Sequence, residues 1–137
     1  MKLKLILLLF LFITSTSGLS AEKWRVTITD EVGIQDGKRY VNELSGSSFT
    51  SIYSFRRGET KGILQAFRQE FDVSVLSSLN GKNITFVQDL EAAHCKWFTT
   101  IFTKEKTGVN KFKVMQTMHS KELKEGPIYY GYAEKIE

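Results

Sequence analysis

The chain has 137 residues, 42% of them hydrophobic and 25% charged, with 19 Lys+Arg against 15 Asp+Glu. A single Pro excludes a proline-rich linker protein, and a single cysteine, Cys95, excludes an internal disulfide. Basic and acidic residues are well mixed, which excludes a strong nucleic-acid binder, because that function needs a concentrated basic surface.

The first element is an export signal. Lys2 and Lys4 precede an unbroken apolar run, Leu5–Ile13, followed by small and polar residues from Thr14 to Ala21. This is the layout of a secretory signal peptide. As a helix the run would span about 14 Å, well short of the roughly 30 Å hydrocarbon core. Cleavage is expected after Ala21; a cut after Ser20 would place Gly18 at the third position before it. No Cys lies near either junction, so a lipid anchor has no acceptor. The expected organisation is a cleaved segment 1–21 and one exported domain, 22–137, periplasmic or extracellular. Losing Lys2 and Lys4 from the 19 basic residues leaves 17 against 15 acidic ones, so the mature charge is +2. Membrane contact is expected only through the signal if it stays uncleaved.

Trp24–Thr29 alternates apolar and polar residues, the pattern of a half-buried strand. Asp36-Gly37 suits a type I′ hairpin turn, whose two central residues need positive φ, and that turn sets Val32 opposite Val41. Asp30-Glu31 and Gly33 are candidate positions for a bulge in the first strand. After Ser45-Gly46-Ser47-Ser48, residues Phe49, Ser51, Tyr53 and Phe55 share one strand face. From Glu59 the period changes to that of a helix over about residues 59–71, with Ile63, Leu64, Phe67 and Phe71 on one stripe. Asn80-Gly81 then joins two strands with Val75 opposite Phe86 and Ser77 opposite Ile84. A short turn covers Asp89–Ala93, and 94–103 alternates again. Lys104–Gly108 reads as a polar loop. Asn110, Phe112, Val114, Gln116 and Met118 share a face of the returning strand, and Gly126-Pro127 opens the last strand, Ile128–Ala133. The expected fold is a strand-dominated α+β domain: an antiparallel curled sheet or small barrel of about eight strands with one α-helix.

Three groups of residues are chemical candidates. The first is Cys95 with His94 and His119. A thiol nucleophile needs a base to form the thiolate, and a His can serve. On a strand, His94 and Cys95 point to opposite faces, so the base would be His119, returning from the neighbouring strand. The competing reading of Cys95 is a buried structural residue. The second group is aromatic: Tyr129, Tyr130 and Tyr132 in the last strand, and Phe98 and Phe102 in another. Tyr129 and Tyr130 face opposite sides, so the cluster can serve both core packing and partner contact. The third is the basic stretch Lys104, Lys106, Lys111 and Lys113, read as a solvated face or a weak attraction for anionic surfaces.

No phosphate loop, Gly-x-Ser-x-Gly elbow or His-Glu-x-x-His is present. Asn83-Ile84-Thr85 is an N-glycosylation acceptor in a eukaryotic secretory pathway. No metal site and no cofactor are expected, since two His supply only half of a closed zinc site. The function expected is a non-catalytic binding module outside the cytoplasm, recognising a protein, an envelope component or a small apolar ligand. The alternative is a small exported hydrolase using Cys95 with His119 or a carboxylate pair.

Overall fold

A computed structural model describes residues 21–46, 49–77, 81–122 and 126–137. The expected export signal up to Ser20, and the Ser47-Ser48 and Asn80 turn positions, lie outside the described residues. The fold is all-β. Nine strands form one antiparallel sheet: β1 (Glu22–Gln35), β2 (Lys38–Glu43), β3 (Thr50–Phe55), β4 (Lys61–Ala66), β5 (Gln69–Ser77), β6 (Asn83–Leu90), β7 (Cys95–Gly108), β8 (Lys111–Ser120) and β9 (Ile128–Lys135). Among the described residues there is no α-helix; a 3-10 turn, Glu91–Ala93, lies between β6 and β7.

Strand order follows the chain from β3 to β9, and β9 returns to pair with β1. The sheet therefore curls into a near-ring of eight. β2 and β3 occupy the same side of β1 in succession: Asp30–Gln35 pairs with β2, and Glu22–Thr27 pairs with β3. The Leu44 N–H donates to the Thr29 carbonyl (2.7 Å) between them. In effect β2 and β3 are one interrupted strand, and the β1–β2 hairpin projects past the rim.

Two hairpin registers agree with the turn chemistry. Asp36 and Gly37 both have positive φ (52° and 72°), and Val32 pairs with Val41. Val75 pairs with Phe86 and Ser77 with Ile84 across the turn that contains Gly81.

The α-helix expected over 59–71 is not formed. That stretch is β4, a two-residue turn at Phe67-Arg68, and the start of β5. Both turn residues take positive φ (51° and 61°), the conformation that Asn-Gly normally supplies. Leu64 and Phe71 pair directly and face inward, whereas Ile63 and Phe67 are 42% and 74% exposed. The α+β class is thus corrected to all-β. Lys104–Gly108 is also not a free loop: β7 continues through it, with register shifts against β8 after Phe102 and Lys106.

Alternate residues of each strand point into the ring, as the pleat requires. The core there comprises Trp24, Val26, Phe55, Val75, Ile84, Phe86, Ile101, Val114 and Ala133, among others. Phe86 stacks on Tyr53 (4.4 Å between centroids) and meets Phe55 edge-on (5.6 Å). Full burial of each large apolar side chain contributes about 1.5–3 kcal/mol, which gives a chain without disulfides its source of stability. These residues fill the end of the ring where β1 begins and β9 finishes.

Candidate functional site

The opposite end of the ring is built differently. Moving along the interior from the apolar plug, the next layer is polar. The Tyr53 hydroxyl lies 2.9 Å from Thr99 Oγ1, and Gln116 Nε2 donates to the same Thr99 oxygen at 2.9 Å. Tyr53 and Thr99 are only 3% and 1% exposed, so this chain satisfies groups that water cannot reach. Burial pushes the Tyr53 phenol above its ordinary pKa, and hydrogen bonds with Thr99, Ser51 and Gln116 partly offset that rise.

Above this layer lies an aromatic and acidic mouth. Trp97 on β7 and Tyr129 on β9 meet across the interior, 5.7 Å between ring centroids. Tyr129 pairs in register with Glu31 on β1 and with Gln116 on β8. The Tyr40 hydroxyl of β2 donates to Glu31 Oε1 at 2.8 Å. Gly33, paired with Tyr40, makes room for this contact. A Cβ there would sit 2.5–2.6 Å from the Tyr40 ring and hydroxyl, so only glycine lets the ring lie flat across β1.

The electrostatics of the mouth centre on Glu31. The Tyr40 phenol is raised in pKa chiefly by its hydrogen bond to Glu31, with smaller contributions from desolvation and from the Glu31 and Tyr129 charges. Tyr129 is raised first by burial and then by the Glu31 charge. Beside this cluster a recess of about 610 Å³ opens through the wall; of the cluster only Tyr40 lines it, with Gly33, Arg39, Met118, His119 and Pro127. It exists because β9 begins at Ile128, below the tips of the β1–β2 hairpin and of β8.

Glu31 faces inward because β1 changes parity. Trp24, Val26 and Ile28 are buried core residues. The register against β9 then shifts between Ile28 and Asp30, so that Thr29 is an extra residue. Beyond it Glu31 and Gly33 take the inner side, and Val32 and Ile34 the outer.

The residues singled out in the sequence are distributed as follows. Cys95 is a buried free thiol on the inner side, whereas His119 is exposed on the outer side with its ring edge-on to Phe98 (5.1 Å). Their strands are adjacent, but Cys95 pairs with Ser120, and His119 pairs with Lys96, on the opposite face. His94 does come near His119: both line a shallow outer recess with Lys96 and Phe98. Among the described residues no group of three or more His, Cys, Asp or Glu could hold a metal ion.

Tyr129 is the member of the aromatic group that enters the mouth. Tyr130 and Tyr132 alternate to the outer wall, where Lys111 Nζ sits 4.2 Å from the Tyr132 ring centroid. Phe102 is likewise outside, 5.3 Å from Lys113 Nζ. Glu31, Tyr40, Trp97 and Gln116 were not distinguished in the sequence. The first two become visible only if the bulge is placed at Thr29. Trp97 and Gln116 carried a signal, since each lies on a face with other inward residues. No protein-family model, curated protein or solved structure matches the chain, so the case for a function rests on this geometry.

Proposed function

We propose that this chain is an exported, non-catalytic binding protein that receives a small organic ligand in the mouth of its eight-stranded ring. The observation that carries the reading is the asymmetry of the interior. One end is plugged by packed apolar side chains, and the other presents Trp97, Tyr129, Tyr40 and Glu31 beside an open recess of about 610 Å³. Small rings of strands either fill their interior with side chains or hold one small ligand, and this interior is divided between the two. The outer wall carries Arg25, Lys61, Asp72 and Lys96, all exposed, around an apolar inside. That is the reverse of a strand barrel facing lipid. Residues that would act with Cys95 in a hydrolase do not gather around it among the described positions, so the thiol-enzyme alternative has no supporting geometry.

The two tryptophans supply the test. Trp24 lies in the plug at 4% exposure, while Trp97 lies in the mouth. A ligand from the secreted or periplasmic fraction should change the emission of the Trp24→Phe variant, whose remaining indole is Trp97. It should leave that of Trp97→Phe unchanged. Emission changes confined to Trp24 would overturn the reading.

A further inference from the structure

We infer that the mouth selects a small organic cation, an amine or quaternary ammonium group, whose charge is taken between Glu31 and the rings of Tyr40, Tyr129 and Trp97. The inference rests on the binding-protein reading and adds the chemical class of the ligand.

Three observations carry it. First, within the closed ring the inner wall at this end holds one formal charge. Around Glu31, the inward positions are Asn42, Ser51, Gln69, Gln88 and Gln116, all uncharged, and the cation that shares this face, Lys38, is exposed at the tip of the β1–β2 hairpin beyond the rim. Second, the Glu31 carboxylate is left without a cation among the described residues. Exposed carboxylates such as Glu43, Glu59, Glu70 and Asp72 also lack one, but Glu22, the inward carboxylate at the opposite end of the ring, has both Arg57 and Lys135 within 4 Å. Glu31 has instead a neutral donor, the Tyr40 hydroxyl, which leaves its charge uncompensated. Third, the groups beside it are π faces. Trp97 and Tyr129 are in contact, Tyr129 pairs with Glu31, and the Tyr40 ring lies over Gly33. Ring faces carry negative quadrupole potential, so they and the carboxylate attract the same sign of charge.

The alternatives fare worse on these groups. A neutral apolar ligand would cover Glu31 and cost its desolvation with no compensating charge. An anionic ligand would meet a carboxylate and three electron-rich rings. A cation is the one class that every group in the cluster favours. Quaternary ammonium in particular needs no hydrogen-bond acceptor beyond this, because its charge is spread over methyl groups that rest on aromatic faces.

The test compares probes that differ in charge and not in shape. Choline, its neutral isostere 3,3-dimethylbutan-1-ol, and 3,3-dimethylbutyrate would be titrated into the full-length protein with tyramine as a primary-amine probe, up to about 10 mM, followed by calorimetry and Trp97 emission. The expected result is binding of a cation at least about 10-fold tighter than the neutral isostere, none of the anion, and loss of that margin in Glu31→Gln. Tyr40→Phe, which keeps the carboxylate, should keep most of the preference, which separates lost charge from a disturbed mouth. Phosphatidylcholine vesicles form a second arm. Sedimentation with them that Glu31→Gln abolishes places the ammonium on a lipid headgroup, while binding of free choline alone places it on a free amine. Equal binding of cation and neutral isostere overturns the cation assignment and leaves the mouth as a binding site. Binding of neither cation overturns the assignment as well. If no compound that binds the protein moves Trp97 emission, the binding-protein reading falls with it.

Discussion

Closing the ring depends on Gly131, and Gly131→Ala should open it. On β9 this residue faces Ile28 of β1, next to the register shift at Thr29. A Cβ there would collide with the Thr27 carbonyl oxygen and come within 2.8 Å of Ile28 Cα and 2.9 Å of the Thr27 carbonyl carbon. All three are backbone atoms, so no rotamer change relieves the contact, and the two strands must separate. Neighbouring strands lie only about 4.7–4.9 Å apart, so separation on that scale breaks the ladder bonds on either side of the site. Losing two or three bonds at about 1 kcal/mol each, plus about 1–3 kcal/mol for the overpacking, gives about 3–6 kcal/mol. That is a large fraction of the 5–15 kcal/mol typical of a domain. Urea unfolding with hydrogen exchange on β1 and β9 would measure it. Gly108→Ala is the control, since its Cβ would meet nothing nearer than Lys111 Cδ at 3.6 Å. Were Gly131→Ala as stable as the Gly108 control, within about 0.5 kcal/mol, β1 and β9 could not be joined as described.

Three further outcomes are expected. Replacing Phe67-Arg68 by Asn-Gly should stabilise the protein by about 1–2 kcal/mol, because both residues hold positive φ and Phe67 is 74% exposed; a lower urea midpoint would show that Phe67 makes contacts that outweigh the strain. Stability should fall at alkaline pH. The Tyr53 pKa is raised in the folded state, so its contribution is complete below the unfolded value near 10. It is lost as pH rises through the folded value, at up to about 1.4 kcal/mol per unit while the folded phenol stays protonated. Tyr40 and Tyr129 are raised as well and add to the slope; Tyr53→Phe should reduce it, and an unchanged slope in the variant would assign it to those two. Finally, Cys95 should resist Ellman's reagent in the native protein and react as one thiol once denatured, being 8% exposed; rapid native-state labelling would contradict its inward placement.

The parts of the fold that were readable in the sequence are those where turn chemistry and alternation agree. Asp36-Gly37 sets its hairpin register without tertiary information, and the alternation flanking Asn80-Gly81 does the same for β5 and β6. Residues 59–71 fail that condition. A two-residue hairpin loop reverses strand parity, so the inward residues run Gly62, Leu64, Ala66 and then Gln69, Phe71, Val73. Leu64 and Phe71 are seven apart, which also fits a helical stripe, and Phe67-Arg68 contains neither Gly nor Asn to mark the turn. The site was legible to the same extent. Tyr129 could be singled out as an aromatic on one face, but its partners Glu31 and Tyr40 depend on a bulge whose position only the pairing with β9 establishes.

That bulge is the link between fold and proposed function. Had β1 continued in regular alternation from Ile28, the inward residues at this end would be Asp30, Val32 and Ile34, and two aliphatic side chains could close the mouth as the plug closes the other end. The extra residue at Thr29 turns Val32 and Ile34 outward instead, leaving Ile34 at 64% exposure and its neighbouring Val41 at 55%. In their place it brings a carboxylate, and a glycine that admits the Tyr40 ring. Exposing aliphatic surface while bringing a charge to the inner face costs stability on both counts. Rules of burial broken together at one place, beside an open recess, are the pattern expected of the proposed ligand mouth rather than of a core position. The same shift accounts for why the apolar end of the ring shows in the sequence as plain alternation and the open end does not.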